Sequence, residues 1–521
     1  MSDPIRNDGQ SQPLRIVVVG GGTAGWMSAA ALQRQLPAED YSVTLIESDD
    51  IGTVGVGEAT LPPIKIFNDM MGLNDAQFMR ETKATFKLGI QFCDWLRPGV
   101  TYIHPFGAFG EPWGGVEFQH HWLRARRWGA ESAPLQDFSY AAVAARCDKF
   151  EFPNEDPKSI RATYAYAYHF DAGLYAAFLR RWAIERGVRR IEGQVSDIAR
   201  HESGDVRQLT LKSGEGIVGD LFVDCSGFRS LLLGGVMGVA WQDWSHWLPC
   251  DRAFALPSRR TGALTPYTRA TAQRAGWTWR IPLQHRTGNG YVFSSRFTSD
   301  NAARESLLSI IGDVAQGEPR LLKFSPGRRE QAWAGNCIAI GLSSGFLEPL
   351  ESTSIYLVQA AVTDLINLMP RRRASVSDRR LMEEFNRLNN MQYERIRDFL
   401  IMHYTANDRV GEPLWDYVRS MPLPDSLIHK VALFRSRAAL PTYQYGLFSR
   451  DSWLSVLVGQ GVTSNGHDRL ADAYAPAVLE ERLAEFRQRI QSNVEAMPTH
   501  AEFIAEYCRL DEQPLSQEVA V

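Results

Sequence analysis

The chain has 521 residues, 44% of them hydrophobic and 22% charged. That is enough to bury a large core, either as one large α/β unit or as roughly three domains. Lys and Arg number 56 against 60 acidic residues, leaving a net charge of −4, which argues against a dedicated nucleic-acid or membrane-surface protein. The composition is too apolar and too evenly charged for disorder and lacks the Pro/Gly bias of a fibrous chain.

Residues 1–13 are expected to be a flexible N-terminus. From Ile16 to Gln33 there is no charge, and Arg6 and Arg15 lie upstream, a pattern that superficially resembles a signal peptide or a spanning helix. Three successive glycines interrupt it, with Val-rich residues before them and Ala-rich residues after. A strand, a turn and a helix explain it better, so a cytoplasmic protein is expected. Leu14–Val19 reads as a buried parallel strand, Trp26 to about Leu36 as a helix, and Tyr41–Ile46 as a second strand ending at Glu47. Together they make a βαβ unit.

Further along, Thr85–Phe92 alternates apolar and polar residues, predicting one strand with Lys87 opposite the Phe86/Leu88/Ile90 face. A helix is predicted over 172–186, then hairpin-like strands through Val223. After Ser354 helical patterns dominate, over 355–369, 378–404 and 477–497. The six cysteines, Cys93, Cys147, Cys225, Cys250, Cys337 and Cys508, are scattered without a C-x-x-C, so reduced core thiols are expected rather than disulfides or a zinc site. His120-His121 has no partner at metal-ligand spacing, and no metal is expected.

The first motif with chemistry is G-x-G-x-x-G at Gly20, Gly22 and Gly25. Its glycines permit a tight turn and close approach of backbone to a pyrophosphate seated on the N-terminus of the following helix. Glu47, at the end of the second strand, is placed for a ribose hydroxyl pair and favours an adenosine ribose without a 2′-phosphate, as in NAD or FAD. FAD is preferred because of two further strand-then-small-residue segments, 219–230 and 335–341. They resemble the nucleotide-domain segments of the glutathione-reductase type of FAD-binding fold. In aromatic hydroxylases of that group the last strand ends Gly-Asp; here Gly341 is followed by Leu342. In the next stretch Pro349 disfavours helix at Glu348. A helix is predicted just beyond, capped by Ser352 or Thr353, and amides near Thr353 and Ser354 would face outward from its positive end.

At this point the sequence resembles the flavin-dependent tryptophan halogenases and their relatives. The motifs that carry the resemblance are Gly20-Gly-Gly-Thr-Ala-Gly-Trp26, Val54-Gly-Val-Gly-Glu-Ala-Thr60, Lys87 within Lys83–Leu88, His104-Pro-Phe106, Phe170–Tyr175, Trp277-Thr-Trp-Arg-Ile-Pro282 and Leu350-Glu-Ser-Thr353. They run in order through at least Tyr356. The implied fold is α/β: a Rossmann-like FAD-binding core of the glutathione-reductase/aromatic-hydroxylase type over 14–370, with an interleaved substrate-pocket sheet. A mainly helical C-terminal module over 371–521 would pack on it. The implied chemistry begins with FADH2 from a separate flavin reductase, delivered by diffusion or through contact. It activates O2, and a chloride or bromide ion beside the flavin becomes hypohalous acid. That oxidant passes to a lysine for electrophilic substitution on an aromatic ring.

By the same resemblance, Lys87 and Glu351 are the catalytic pair. Lys87 would either become an N-halo amine or hydrogen-bond the acid, and Glu351 would orient the oxidant or accept the ring proton. The flavin site would comprise Gly20, Gly22, Thr23, Ala24, Gly25, Glu47, Gly57, Glu58, Ala59, Gly341 and Ser352. Thr353 and Ser354 are the halide-site candidates, Ser354 standing where many members carry Gly. His104, Pro105 and Phe106 would line the substrate pocket, and Trp453 would close it. Trp277 and Trp279 serve as family markers near the flavin. Tryptophan-specific members carry a Tyr-Tyr pair and a glutamate for the amino-acid ends, whereas the corresponding stretch here, Phe434–Tyr443, has no such pair. Indole or another small free aromatic is therefore the expected substrate. A flavin-dependent aromatic monooxygenase and a non-catalytic flavin-binding protein are the rival readings. A homodimer is left open.

Overall fold

A computed structural model describes residues 12–49, 57–129, 133–371, 373–442 and 446–510. Most of the expected flexible N-terminus, Val54–Val56 and Tyr443 lie outside the described residues. β1 (Leu14–Val19) and β2 (Tyr41–Glu47) run parallel, with helix α1 (Thr23–Gln35) crossing between them. Apolar residues of both strands are buried, as expected where helices and sheet cover a parallel strand. The uncharged Ile16–Gln33 stretch is therefore strand, turn and helix. No helix among the described residues is long and apolar enough to cross a membrane.

β1 pairs parallel with Leu221–Asp224, which pairs parallel with Cys337–Ala339. The six-stranded sheet has the order 333–334, 337–339, 221–224, β1, β2, 189–192. It brings the three small-residue turns that follow its parallel strands to one edge, the crevice where open α/β sheets bind ligands.

A seven-stranded sheet carries the opposite wall. Its order is 320–323, 252–258, 287–293, 276–282, 268–273, 89–93, 101–105. Here the single strand predicted over 85–92 is corrected. Thr85–Lys87 pairs with Ala167–Asp171 in a separate three-stranded sheet, while Gly89–Cys93 belongs to the seven-stranded one. Leu88 is the joint: its N–H donates to Pro266 O at 2.7 Å, and its carbonyl accepts from Phe106 N. Both faces are covered, so Lys87 is buried just as Phe86 and Leu88 are.

Three helices of the second half run Thr353–Asn367, Arg379–Thr405 and Pro476–Glu495, within a few residues of expectation. One buried apolar cluster reaches from Leu14 to Ile504, so these helices share their core with the sheets. The expected partition near 370 falls between the first two of them. All six cysteines are free, but only Cys225, Cys250 and Cys337 are buried; Cys147 is exposed.

Candidate active site

A cavity of about 610 Å³ opens along the carboxyl edge of the parallel sheet. Gly20, Gly22, Thr23, Ala24, Glu47, Gly57, Glu58, Ala59, Gly341 and Ser352 all lie on its wall. A side chain at Gly22 would meet no atom of the protein within 4 Å, and Gly22 starts α1 without a side-chain cap. This combination of open space and uncapped backbone N–H groups suits the pyrophosphate of a dinucleotide. Gly25, by contrast, does not line the cavity. A Cβ there would lie 1.8 Å from Gly20 O, so this glycine is needed for α1 to pack on the turn.

Glu47 is on the wall and already held in place. Arg190 Nε donates to Oε1 at 2.5 Å, Trp26 Nε1 donates to Oε2 at 3.1 Å, and Arg180 Nη1 lies 3.3 Å from Oε1. Neither arginine was singled out from sequence, because a lone arginine far downstream carries no local pattern. Glu58 also faces the cavity, and burial pushes its carboxyl up to about 7. Trp277 and Trp279, on the strand Gly276–Pro282, form part of the opposite wall.

The segment 349–355 joins this cavity to a second, drier site. Pro349–Glu351 is a single 3₁₀ turn, and the α-helix begins at Thr353, as Pro349 predicted. The predicted cap differs. Ser352 occupies the N-cap position with φ +59°, in the left-handed region, and its side chain makes no cap bond. Its hydroxyl instead accepts a hydrogen bond from Lys87 Nζ at 2.8 Å. Ser352 and Ser354 line the cavity. Thr353 is turned away from it, and its buried Oγ1 has no hydrogen-bond partner.

Lys87 also donates to Thr60 O at 2.9 Å, and its ammonium stands 5.0 Å from the centre of the Phe106 ring. Burial pushes its pKa down to about 7, with the negative charge of Glu351 opposing the shift. An isolated lysine in sequence is ordinarily solvated; this one is not exposed at all.

Glu351 is equally buried. His104 Nδ1 contacts both of its oxygens, at 3.0 and 2.9 Å, and His403 Nε2 is 2.8 Å from Oε1. Burial alone would raise this carboxyl, but the two imidazoles outweigh it and hold it down to about 2. His104 arrives on the strand Thr101–Pro105, opposite Ile90, and His403 on the long helix Arg379–Thr405. Sequence reading missed His403, whose only signal was a histidine on the last turn of an amphipathic helix.

Beyond His104 the walls become aromatic. Phe399 and Phe448 stack at 3.8 Å, and Trp453 meets Phe399 edge-on at 4.9 Å. His104 packs against Phe399, Phe448 and Phe106. Lys430 Nζ lies 3.9 Å from the centre of the Trp453 ring. Pro105 ends the strand that carries His104 and is buried with it. Among the described residues no group of three His, Cys, Asp or Glu side chains could hold a metal ion.

A glycine-rich turn at a helix start, an acidic residue closing the second strand and a cavity walled by paired tryptophans define a flavoprotein of the dinucleotide-binding α/β class. Comparison with known proteins then places the chain more closely: it belongs to the tryptophan halogenase family, whose pattern it matches over residues 15–476. It is an enzyme, a flavin-dependent halogenase. It is 34% identical to tryptophan 6-halogenase SttH of Streptomyces toxytricini over 95% of this chain and 98% of that one. It is 33% identical to tryptophan 7-halogenase RebH of Lentzea aerocolonigenes, over 94% and 98%. Among solved structures it is similar to BrvH, a flavin-dependent halogenase from Brevundimonas sp. BAL3. That similarity has TM-score 0.90 and 44% identity, covering 95% of this chain and 99% of that one. Xcc4156, a flavin-dependent halogenase from Xanthomonas campestris, aligns with TM-score 0.91 and 43% identity over 96% and 99%.

Proposed function

We propose that the enzyme halogenates a small free aromatic such as indole, using hypohalous acid that passes from the flavin cavity to Lys87. The observation that carries this reading is the position of Ser352. It is part of the cavity wall, yet its hydroxyl is bonded to Lys87 Nζ in the buried site. When bound, FADH2 supplied by a separate reductase would activate O2, the oxidant that turns a halide into hypohalous acid.

The protein's own groups do the rest. Amides at the start of the helix Thr353–Asn367 offer the halide a positive helix end beside the cavity, Ser354 on its wall and Thr353 behind it. Near neutral pH Lys87 is divided between amine and ammonium. As the amine it attacks the halogen of HOX, forming an N–halogen bond and releasing water once the departing hydroxide takes the amine proton. The ring then takes the halogen, and the nitrogen is restored to the amine by the proton that Glu351 collects from the ring. As the ammonium it hydrogen-bonds the oxygen of HOX and gives it a proton as the ring attacks, so that the oxygen leaves as water, and Glu351 then returns a proton to the amine. In both cases Glu351 accepts the proton from the ring carbon that has gained the halogen. Trp277 and Trp279 form a wall that keeps the aromatic substrate off the flavin.

A free aromatic is favoured because the pocket around His104 and Phe106 is lined by Phe399, Phe448 and Trp453. The stretch Phe434–Tyr443 supplies no Tyr-Tyr pair for amino-acid ends, whose buried charges would go unpaired. We place the enzyme in the cytoplasm, with the helices beyond 370 as the substrate module packed on the flavin core.

The test is a mass-spectrometric product assay with FAD, a generic flavin reductase, NADH, O2, indole, and chloride or bromide as the sole halide. A halogen isotope pattern in the product, lost in Lys87→Ala, is expected. A hydroxylated product independent of halide would make the enzyme a monooxygenase. A higher kcat/KM for tryptophan than for indole would overturn the substrate assignment.

A further inference from the structure

Two consecutive residues on the last turns of the helix Arg379–Thr405 grip the segment that carries Glu351. Tyr404 Oη donates to Glu348 Oε1 at 2.6 Å, and His403 Nε2 lies 2.8 Å from Glu351 Oε1, an ion-pair distance off the hydrogen-bond axis. The environments of the two carboxyls differ. Glu351 has two imidazoles on it. Glu348 is buried with a tyrosine hydroxyl on one oxygen and no hydrogen-bond partner for the other.

The protons around His403 can be assigned from its partners. Nδ1 is 2.8 Å from Phe399 O. A carbonyl oxygen only accepts, so Nδ1 carries a hydrogen. In neutral imidazole the electron-rich Nε2 would then stand 2.8 Å from a carboxylate oxygen, an unfavourable contact for a buried pair. The contact is relieved when one of the two, the imidazole or the carboxyl, carries a proton. His104 Nδ1 faces both oxygens of Glu351 and donates to the carboxylate form. Lys87 and the Tyr102 hydroxyl are the other titratable groups whose charges act on Glu351. Around His403 itself stand the rings of Phe92 at 4.8 Å, Phe399 at 5.0 Å and Trp95 at 6.2 Å.

We propose that His403 is a positioning residue that holds this proton as an imidazolium, so that Glu351 stands as an empty carboxylate ready to take the proton released by the halogenated ring. Its place in the reaction rests on the function proposed above; the placement of the proton does not. Without His403 the carboxyl keeps His104 as a hydrogen-bond donor, loses its second imidazole and takes up a proton itself. It is then unable to act as a base. The fully buried Glu348, which has no cation on it, is the internal example: burial pushes that carboxyl up to about 7.

The test compares wild type with His403→Gln, whose amide can still donate to Glu351 but cannot hold a charge. At neutral pH, infrared difference spectra of the FAD-loaded proteins should show one additional protonated carboxyl in His403→Gln, absent from His403→Gln/Glu351→Gln. Halogenation should fall on the order of 10²-fold while reduced-flavin oxidation continues. No new protonated carboxyl, whether or not activity falls, would reduce His403 to a packing residue and overturn the proposal. If His403→Gln does not fold, wild type and Glu351→Gln decide. Loss of an ionised-carboxylate band on substitution supports the imidazolium, and loss of a protonated-carboxyl band overturns it. The infrared measurements need no turnover, so a failure of the halogenase chemistry would not be mistaken for a failure of the proton assignment.

Discussion

The flavin cavity and the site around Lys87 adjoin at Ser352, but they are built by opposite means. The cavity rests on backbone features, glycine turns at the ends of parallel strands and an uncapped helix start, with side chains such as Glu47, Glu58 and the two tryptophans on its walls. The Lys87 site is made of side chains drawn from four separate stretches of chain, at Lys87, His104, Glu351–Ser352 and His403, together with the carbonyl of Thr60, all of these residues buried. A cavity of the first kind can change shape without loss of its chemistry. A cluster of the second kind depends on every member, because removing one leaves another polar group desolvated without its partner.

Substitutions at the centre of the cluster should therefore separate the two regions most sharply. Lys87→Ala should abolish ring halogenation, a loss of more than about 10³-fold, while flavin binding and oxidation by O2 persist. Product analysis alongside flavin absorbance checks both, and a variant that still halogenated would show that the lysine is not the site of transfer. Glu351→Gln should slow halogenation on the order of 10²-fold and leave flavin oxidation intact. The same substitution has a signature in stability. The folded-state pKa of Glu351 is depressed from 4.5 to about 2, so its contribution is present above 4.5 and lost as pH falls toward 2. Acid denaturation curves of wild type and Glu351→Gln should therefore converge only as pH falls through about 2.

This difference in construction also decided what could be read from sequence. The βαβ unit, the three glycine-ended segments and the helix start after Pro349 are local patterns, and each is found where the sequence put it. The Thr85–Phe92 alternation predicted one strand because its period says nothing of where a chain leaves one sheet for another. Leu88, bonded sideways to Pro266 and Phe106, marks that change. The burial of Lys87 depends on it, and so could not be seen. Ser352 was read as a cap because serine before a helix usually is one; the left-handed backbone at that residue turns the hydroxyl to the lysine instead. His403 joins Glu351 through tertiary packing alone. The family resemblance named Lys87 and Glu351, but the two imidazoles that set the charge of Glu351 emerge only from the folded chain.

Within the cavity, the glycines divide by what stands opposite them. Gly25→Ala would drive a methyl group into Gly20 O and should destabilise the fold by about 1–3 kcal/mol, read as a lower melting temperature without FAD. Gly22→Ala meets nothing in the protein, so its melting temperature without FAD should be unchanged. Its FAD affinity should fall roughly 10- to 100-fold as the methyl group meets the phosphates. Equal FAD affinity in Gly22→Ala and wild type would mean that the pyrophosphate does not approach that turn.

The smallest effect distinguishes the two roles open to Lys87. Its folded-state pKa is lowered from 10.5 to about 7 by burial. The neutral amine is thus the minor form below neutrality and dominant above it, its fraction falling about tenfold for each pH unit on the acidic side. If the amine takes the halogen, the rate of the halogenation step, measured with hypohalous acid supplied directly, should rise roughly tenfold between about pH 6 and pH 8 and then level. If the ammonium polarises the acid, the same rate should fall over that interval. Stability moves independently of either. Folding is penalised wherever the unfolded lysine holds a proton that the folded one resists, so the penalty is full below about 7 and is relieved as pH rises toward 10.5. A melting temperature that climbs above neutral pH in wild type, and not in Lys87→Met, would confirm that the titrating group is this buried lysine. The slope of the rate profile would then say which of its forms handles the halogen.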